Sequence, residues 1–161
     1  MNAKTSSEGP RLAEFARAVR GSTMERLRAV PEGRENWRLS PNAMSFADLA
    51  AHLIDTDHWL FQKLEDPTLA PILGQAHTTH ITDRAAYDTL LTTLEALGER
   101  RATLLESLSD DALATLLHDA RFGGEVPIWW IIVRGNLDHE IHHRGQLALA
   151  LRVLHDEAAL M

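Results

Sequence analysis

Residues 139–146 read HEIHHRGQ, and the predicted fold is arranged around this stretch. It holds three of the chain's nine histidines within a run that has helical periodicity. His139 and His143 are four residues apart, so on an α-helix both imidazoles leave the same face, about 6 Å apart at Cβ. Both rings can then reach one metal ion through bonds of roughly 2.0–2.1 Å. The same face carries apolar residues that should pack in a core: Ile128, Ile132, Ala150 and Val153.

Four stretches of the chain place apolar residues at the three- and four-residue spacing of an amphipathic helix. The predicted helices span Pro10–Ala29, Ser45–Glu65, Asp83–Leu108 and Pro127–His155. Residues 45–48 resemble a capping box at the start of the second helix. Residues 118–125 are predicted to be loop, no strand is predicted, and charges such as Arg101 are placed on the outer face of the third helix. The chain is therefore predicted to be all-α, a four-helix bundle.

The composition indicates one acidic domain. Residues 1–9 are polar and are predicted to be disordered, and residues 10–161 are predicted to form a single domain. A net charge of −7 and a pI near 5.7 argue against nucleic acid as a partner. The longest apolar run, Val126–Val133, is far below the roughly 20 residues that span a membrane. The chain has no cysteine, which fits a reducing cytoplasm and restricts metal ligands to histidine, carboxylate and water.

A metal site needs a third ligand, and the second predicted helix offers His52. This residue lies at the margin of the apolar side of that helix, at a depth that the last helix can match. Three histidine ligands with open coordination positions form a catalytic rather than a structural geometry. The residues alone leave a second interpretation open, in which these are separate histidines that are hydrogen-bonded in the core or exposed on the surface.

The sequence HRGQ at residues 143–146 follows a histidine four residues upstream, and the second helix carries LAAHL at residues 49–53. Together these features resemble the DinB/YfiT-like superfamily, over residues 10–156. The resemblance implies a four-helix bundle in which three histidines of the second and fourth helices bind one divalent metal, nickel or zinc. By position the ligands would be His52, His139 and His143. It also implies a homodimer and, as in some related proteins, an S-transferase that uses a low-molecular-weight thiol. The chemistry of a metal-bound water serves a hydrolase equally well.

Residues 139–143 also satisfy the HExxH pattern of zinc proteases, in which the glutamate is the general base. The metzincin continuation is absent, because Gly145 comes two residues after His143 and position 149 is leucine. The chain also leaves little room after His143 for the downstream ligand and sheet of other zinc proteases. A protease is therefore not the predicted function. Glu140 is predicted to be solvated, with a catalytic role as the alternative.

Four further residues are candidates for orienting the metal ligands: Asp55, Asn136, His142 and Gln146. Asp55 lies about one turn beyond His52 and can accept the second N–H of an imidazole, or it can be simply exposed. Counted at 100° per residue, Gln146 and Asn136 both fall beside the histidine pair of the last helix. Gln146 is also a candidate catalytic residue, and His142 flanks the metal-binding face.

The leading hypothesis is a cytoplasmic metalloenzyme that acts on a small molecule through a metal-activated water or thiol. One alternative is a non-catalytic bundle that binds metal for stability. Another is a dimeric interaction or stress protein, because the last helix is also apolar on the side opposite the histidines. That side carries Trp130, Leu137, Ile141 and Ala148. No residue pattern in the chain identifies a substrate.

Overall fold

The structure is a computed structural model that describes residues 7–67 and 79–159. Its elements, in chain order, are α1 (Glu8–Arg28), α2 (Phe46–Glu65), α3 (Arg84–Ser107), α4 (Asp110–Ala114), β1 (Leu116–Asp119), β2 (Gly124–Pro127), α5 (Ile128–Trp130), a π-helical segment (Ile131–Leu137) and α6 (Asp138–Ala159). The last three follow one another without a break and form one long helix. α1 packs against α3 and α6, and α2 packs against α3, the π-helical segment and α6. The predicted four-helix bundle is confirmed. No helix within the described ranges is long and apolar enough to cross a membrane.

α2 and α3 begin at side-chain caps that can be predicted from the sequence. The Ser45 hydroxyl accepts a hydrogen bond from the backbone N–H of Asp48, whose carboxylate in turn accepts from the backbone N–H of Ser45. This reciprocal pair is the predicted capping box. Asp83 accepts in the same way from the backbone N–H of Ala86. The predicted limits of both helices therefore agree with the structure to within one residue.

The N-terminus of α1 is anchored more firmly than the sequence predicts. The helix begins at Glu8, whose backbone N–H donates to Asp110 at 2.8 Å. Gly9 lies so close to the end of α3 that a Cβ there would be 2.4 Å from the carbonyl oxygen of Leu108. Residues 8 and 9 are therefore part of the bundle, contrary to the predicted disorder. Residues 1–6, for which disorder was also predicted, lie outside the described residues.

A two-stranded hairpin replaces the loop predicted for residues 118–125. β1 and β2 are antiparallel, with Leu116 opposite Pro127 and Asp119 opposite Gly124. A 3₁₀ turn joins them and ends at Gly123, whose φ of 80° lies in the left-handed region that glycine adopts readily. The Arg121 guanidinium in this turn stacks 3.9 Å from the ring centroid of Trp59. The strand sequences LLHD and GEVP do not alternate apolar and polar residues, which is the pattern by which strands are recognised.

The last long helix differs from the continuous α-helix predicted for Pro127–His155. Between Ile131 and Leu137 it is π-helical, with hydrogen bonds from residue i to i+5. A π-turn holds more residues than an α-turn, so directions counted at 100° per residue fail on the N-terminal side of α6. Gly135 lies in this segment, and a Cβ there would be 2.8 Å from a ring carbon of Trp59. The missing side chain lets the Trp59 ring pack directly on the π-helical backbone.

The core consists of two apolar clusters at opposite ends of the bundle. The tyrosine cluster surrounds Tyr87 and includes Met24, Leu27, Leu53, Leu91 and Leu147. The tryptophan cluster surrounds Trp59 and includes Ala16, Ala102, Leu105, Ile131 and Leu137. This membership means that α1 and α6 run in one direction and α2 and α3 in the other. Leu137, predicted on the second apolar side of the last helix, is fully buried within its own chain.

Candidate metal centre

Three histidines from two helices converge at one point of the bundle. α2 supplies His52, and α6 supplies His139 and His143, one turn apart. The Nε2 atom of His139 lies 2.7 Å from Nε2 of His52 and 3.0 Å from Nε2 of His143. The candidate ligand atoms all lie within 4.8 Å of one another, and the described part of the chain has no other group of three possible ligand side chains. The structure thus brings together the three histidines predicted as metal ligands.

Gln146 determines which nitrogen of His143 faces the other two rings. Its amide oxygen lies 2.8 Å from Nδ1 of His143 and can only accept, so the hydrogen-bond network assigns the proton of the neutral ring to Nδ1. The Nε2 atom of His143 therefore presents a lone pair to His139. The amide nitrogen of Gln146 lies 3.1 Å from Nε2 of His142 and donates to it.

The two contacts of His139 cannot both be hydrogen bonds. If its Nε2 atom carries a proton, it can donate to His52 or to His143, but one proton cannot serve both contacts fully. If the atom carries none, its lone pair faces the lone pair of His143. A cation that accepts all three lone pairs removes this conflict. The donor set therefore fits a divalent metal that prefers imidazole, such as zinc or nickel.

Burial keeps the imidazoles of His139 and His143 neutral near pH 7. It lowers the pKa of His139 to about 4, with smaller contributions from the adjacent His143 and His52 rings. Burial also lowers the pKa of His143, and this effect exceeds the opposing effect of the hydrogen bond to Gln146. Because a neutral imidazole is the form that binds metals, both rings can bind without first losing a proton.

A layer of buried charges adjoins the histidines, with one charge from each long helix: Arg20, Asp57, Arg101 and Glu140. The Arg20 guanidinium lies 2.8 Å from a carboxylate oxygen of Asp57 and 2.9 Å from one of Glu140. The Arg101 guanidinium lies 2.9 Å from Asp57 and 2.8 Å from Glu140. Two cations face two anions, so the formal charge of this charge layer is zero. It lies between the tyrosine cluster and the tryptophan cluster.

Glu140 is buried, so the prediction that it is solvated is wrong. Its side chain is 1% exposed, and each carboxylate oxygen is held by a guanidinium. Burial by itself would raise the pKa of this carboxyl, but Arg101 and Arg20 lower the pKa of Glu140 to about 2. A carboxylate that is bound by two cations is a poor general base. The structure therefore gives Glu140 a role in holding helices together.

Asn136 and Arg101 also lie elsewhere than predicted. The Asn136 oxygen accepts from Arg101 at 2.8 Å, and its amide nitrogen donates to the backbone oxygen of Thr56 at 3.2 Å. Asn136 lies in the π-helical segment, where the altered rotation per residue directs it to the charge layer instead of to His143. Arg101 was predicted on the outer face of α3, but its side chain is 1% exposed. The carboxylates of Asp57 and Glu140 neutralise its charge, so Arg101 lies inside the bundle.

The other predicted neighbours of the site lie close to it in the chain and differ in exposure. His142 is exposed, and its ring centroid lies 5.2 Å from that of His143. Gln146 is exposed and bonds both of these rings. Asp55 is half-buried on α2, three residues after His52. Its role in orienting an imidazole stays a prediction.

A cavity of about 460 Å³ opens beside His143 and Gln146. Its walls come from the loop before α2, from the first turns of α2 and from the middle of α6. Residues so far apart in the chain form a wall only once the helices have packed. No local pattern identifies them.

Comparisons with known proteins agree with this fold. The family description "DinB superfamily" matches residues 16–147. YfiT from Bacillus subtilis, described as a probable metal-dependent hydrolase with an unusual four-helix bundle topology, has a TM-score of 0.72 and 13% identity, covering 96% of this chain and 93% of its own. A DinB-like protein from Bacillus subtilis, YjoA, has a TM-score of 0.68 and 21% identity, covering 89% and 91%. The search of curated proteins found no match.

The two solved structures show the fold alone at these identities, whereas the family match covers most of the chain, from α1 into α6. The matched residues include all three convergent histidines and all four residues of the charge layer. The chain therefore belongs to the DinB superfamily.

Proposed function

We propose that this chain is a divalent-metal-dependent enzyme whose metal is held by His52, His139 and His143. The observation that carries the proposal is the convergence of three imidazole nitrogens within 4.8 Å, with no further described histidine or carboxylate in the group. Three protein ligands leave coordination positions open for water or substrate, as in catalytic sites, whereas structural sites close with four. An open position next to a cavity is what a reaction at the metal requires.

The chain's own residues have separate tasks in this proposal. A bound divalent metal would lower the pKa of a coordinated water or thiol and polarise an electrophile. The three histidines hold it, and Gln146 keeps the proton of His143 on Nδ1 so that Nε2 stays free to bind. The charge layer fixes α6 against α2 and so sets the separation between His52 and the His139–His143 pair. The cavity admits the substrate.

The reaction type is part of the proposal. We propose hydrolysis or thiol-dependent S-transfer, with zinc or nickel as the metal, in a homodimeric cytoplasmic protein. The description of YfiT as a probable metal-dependent hydrolase supports the first reaction by fold similarity. Water and thiol both become better nucleophiles on a metal, so the same ligand set serves either reaction.

The experiment that tests the proposal compares metal-loaded with metal-stripped protein on two probes. One is an aryl ester, whose cleavage reports hydrolysis, and the other is 1-chloro-2,4-dinitrobenzene with a simple thiol, which reports S-transfer. We expect turnover of at least one probe that disappears on chelation, returns on adding metal and is absent from His139→Ala. Equal rates for the stripped protein and the loaded protein would overturn the proposal.

The metal-for-stability alternative makes a different prediction. A structural site contributes folding free energy, so stripping the metal should lower the Tm sharply. Here the charge layer and two apolar clusters already join all four long helices without a metal. We therefore expect only a modest change in Tm on chelation.

A further inference from the structure

The cavity beside the candidate metal centre has apolar walls. Leu49 at the start of α2 and Met44 in the loop before it form one side, and Leu149 of α6 forms the other. Leu39 also lines the cavity. The cavity meets the metal centre at His143, which belongs to both.

Two of the cavity's leucines are unusually exposed. Leu39 is 44% exposed and Leu149 is 51% exposed, whereas Leu49 beside them is 3% exposed. Large apolar side chains at the mouth of a cavity lose contact with water when an apolar ligand enters, which favours binding. The apolar surface is therefore placed where a ligand that reaches His143 would cover it.

The described residues that line the cavity include no carboxylate, lysine or arginine. The polar lining consists of the amides of Asn42 and Gln146 and the imidazole of His143. Two arginines are next to lining residues in sequence, and neither lines the cavity: Arg144 follows His143, and Arg38 precedes Leu39. Arg38 is 2.6 Å from the Asp48 carboxylate and also donates to the Ala43 carbonyl. A charged ligand group on the cavity wall away from the metal would therefore lose hydration without gaining an ionic partner among the lining residues.

We propose that this cavity is the substrate pocket of the metal centre and that it takes the uncharged alkyl or aryl arm of a substrate whose polar head reaches the metal. The inference rests on the proposed function, because it needs a metal at the three histidines. A volume of about 460 Å³ suits a small molecule with an arm of several carbons. The pocket should therefore prefer substrates whose arm is apolar and fits the cavity, and it should bind a neutral arm more tightly than an ionised one.

The test uses hydroxamic acids as probes, because their polar head binds zinc while the attached arm can be lengthened one carbon at a time. Zinc-loaded protein is titrated calorimetrically with acetohydroxamic, butanohydroxamic and hexanohydroxamic acids. The Kd should fall with each added methylene, by up to roughly fourfold for a methylene that is fully buried. A probe of hexanoyl length that ends in a carboxylate should bind no better than acetohydroxamic acid.

Three variants locate the effect. Leu149→Asp and, separately, Leu39→Asp should remove most of the gain from chain length, so that each variant binds hexanohydroxamic acid little better than it binds acetohydroxamic acid. Leu116→Asp is the matched control, since Leu116 is 56% exposed on β1 and does not line the cavity. It should keep the full dependence on chain length. Both test residues lie on the surface, so the variants are expected to fold, and zinc stoichiometry and Tm verify this.

The outcomes separate this inference from the proposed function. If zinc and acetohydroxamic acid bind but affinity is independent of chain length, the pocket assignment is wrong and the metal centre stands. The same holds if Leu116→Asp weakens the dependence as much as Leu149→Asp does. If the protein takes up no zinc and binds none of the probes, the proposed function fails, and this inference fails with it.

Discussion

The charge layer and the histidine cluster are neighbours built from the same helices, yet their chemistry is opposite. In the charge layer, two guanidiniums face two carboxylates, and each carboxylate is bonded by both arginines. In the histidine cluster, three imidazole nitrogens face one another, and their contacts cannot all be hydrogen bonds. Balanced donors and acceptors are what a folded core requires. The histidine cluster lacks this balance, and its three imidazole nitrogens fit a divalent metal.

The two regions also show how one helix turn can contribute both to the candidate metal centre and to the buried charge layer. His139 and Glu140 are adjacent in sequence, but a step of about 100° directs one ring to the metal centre and the next carboxylate into the core. On α2, Asp57 lies five residues after His52 and takes the corresponding core position. The buried ion pairs thus fix the two helices within a few residues of all three histidines. If the comparison is right, variants in the two regions should change different properties.

The largest expected effect is that of Glu140→Gln on stability. Losing one carboxylate leaves two buried guanidiniums facing Asp57 alone, and breaking a buried ion pair in this way costs about 3–5 kcal/mol. Urea unfolding of the metal-free protein measures the change. Glu99→Gln is the matched control, because the Arg17–Glu99 pair is exposed and such a pair contributes less than about 1 kcal/mol. Equal costs for the two variants would show that the charge layer is not what holds the bundle.

Lowering the pH should remove the contribution of Glu140 to the free energy of unfolding of the wild type. Its pKa is lowered from 4.5 to about 2 in the folded protein, so the unfolded chain takes up the proton first as the pH falls. The stabilisation is therefore full above about pH 4.5 and is lost as the pH falls toward 2, with a total near 3 kcal/mol. Urea unfolding of wild type and Glu140→Gln across this range should give free energies of unfolding that approach each other. A constant difference would contradict the assigned pKa.

A smaller effect, confined to metal binding, is expected from Gln146→Leu. Without the acceptor at Nδ1, His143 is no longer held with its Nε2 lone pair toward the site, and removal of such a partner weakens metal binding by about 10–100-fold. Competition with a chromophoric chelator measures the affinity. Gln146→Glu keeps an acceptor oxygen at that position and should retain tight binding. Unchanged affinity in Gln146→Leu would show that the hydrogen bond does not orient the ring.

The smallest expected effect is that of His52→Ala on the stability of metal-free protein. The contacts among the three imidazoles cannot all be hydrogen bonds, so deleting one ring should change the free energy of unfolding by less than about 1 kcal/mol. Urea unfolding after chelation measures it. A cost as large as that of Glu140→Gln would make the histidine cluster a structural feature and would erase the contrast between the two regions.

The bundle and its histidines follow from local patterns. Leu49, Leu53 and Leu60 recur at helical spacing, Ser45 and Asp48 form a recognisable cap, and His139 and His143 share a face by simple counting. His52 was added because it lies at the margin of an apolar side. In each case the residues that allow the prediction lie within a few turns of one helix.

The charge layer, the position of Asn136 and the cavity depend on packing between helices, which the sequence of a single helix does not predict. Arg20, Asp57 and Arg101 each lie among the apolar residues of the buried face of their helix. A single charged residue on the apolar face of each long helix, with two positive and two negative charges in all, is the sequence feature that could have predicted the charge layer. Asn136 was placed wrongly because it lies in the π-helical segment, where directions counted at 100° per residue fail. Leu39 and Leu149 meet at one cavity although more than a hundred residues separate them. These features require the folded chain.

The most direct test of the account is elemental analysis of untagged protein beside His52→Ala and His143→Ala. We expect about one equivalent of a divalent metal in the wild type and its loss from both variants, because one ligand comes from α2 and the other from α6. Tm measurements verify that both variants are folded. A wild type that holds no metal even after reconstitution, or variants that keep it, would contradict the three-histidine centre.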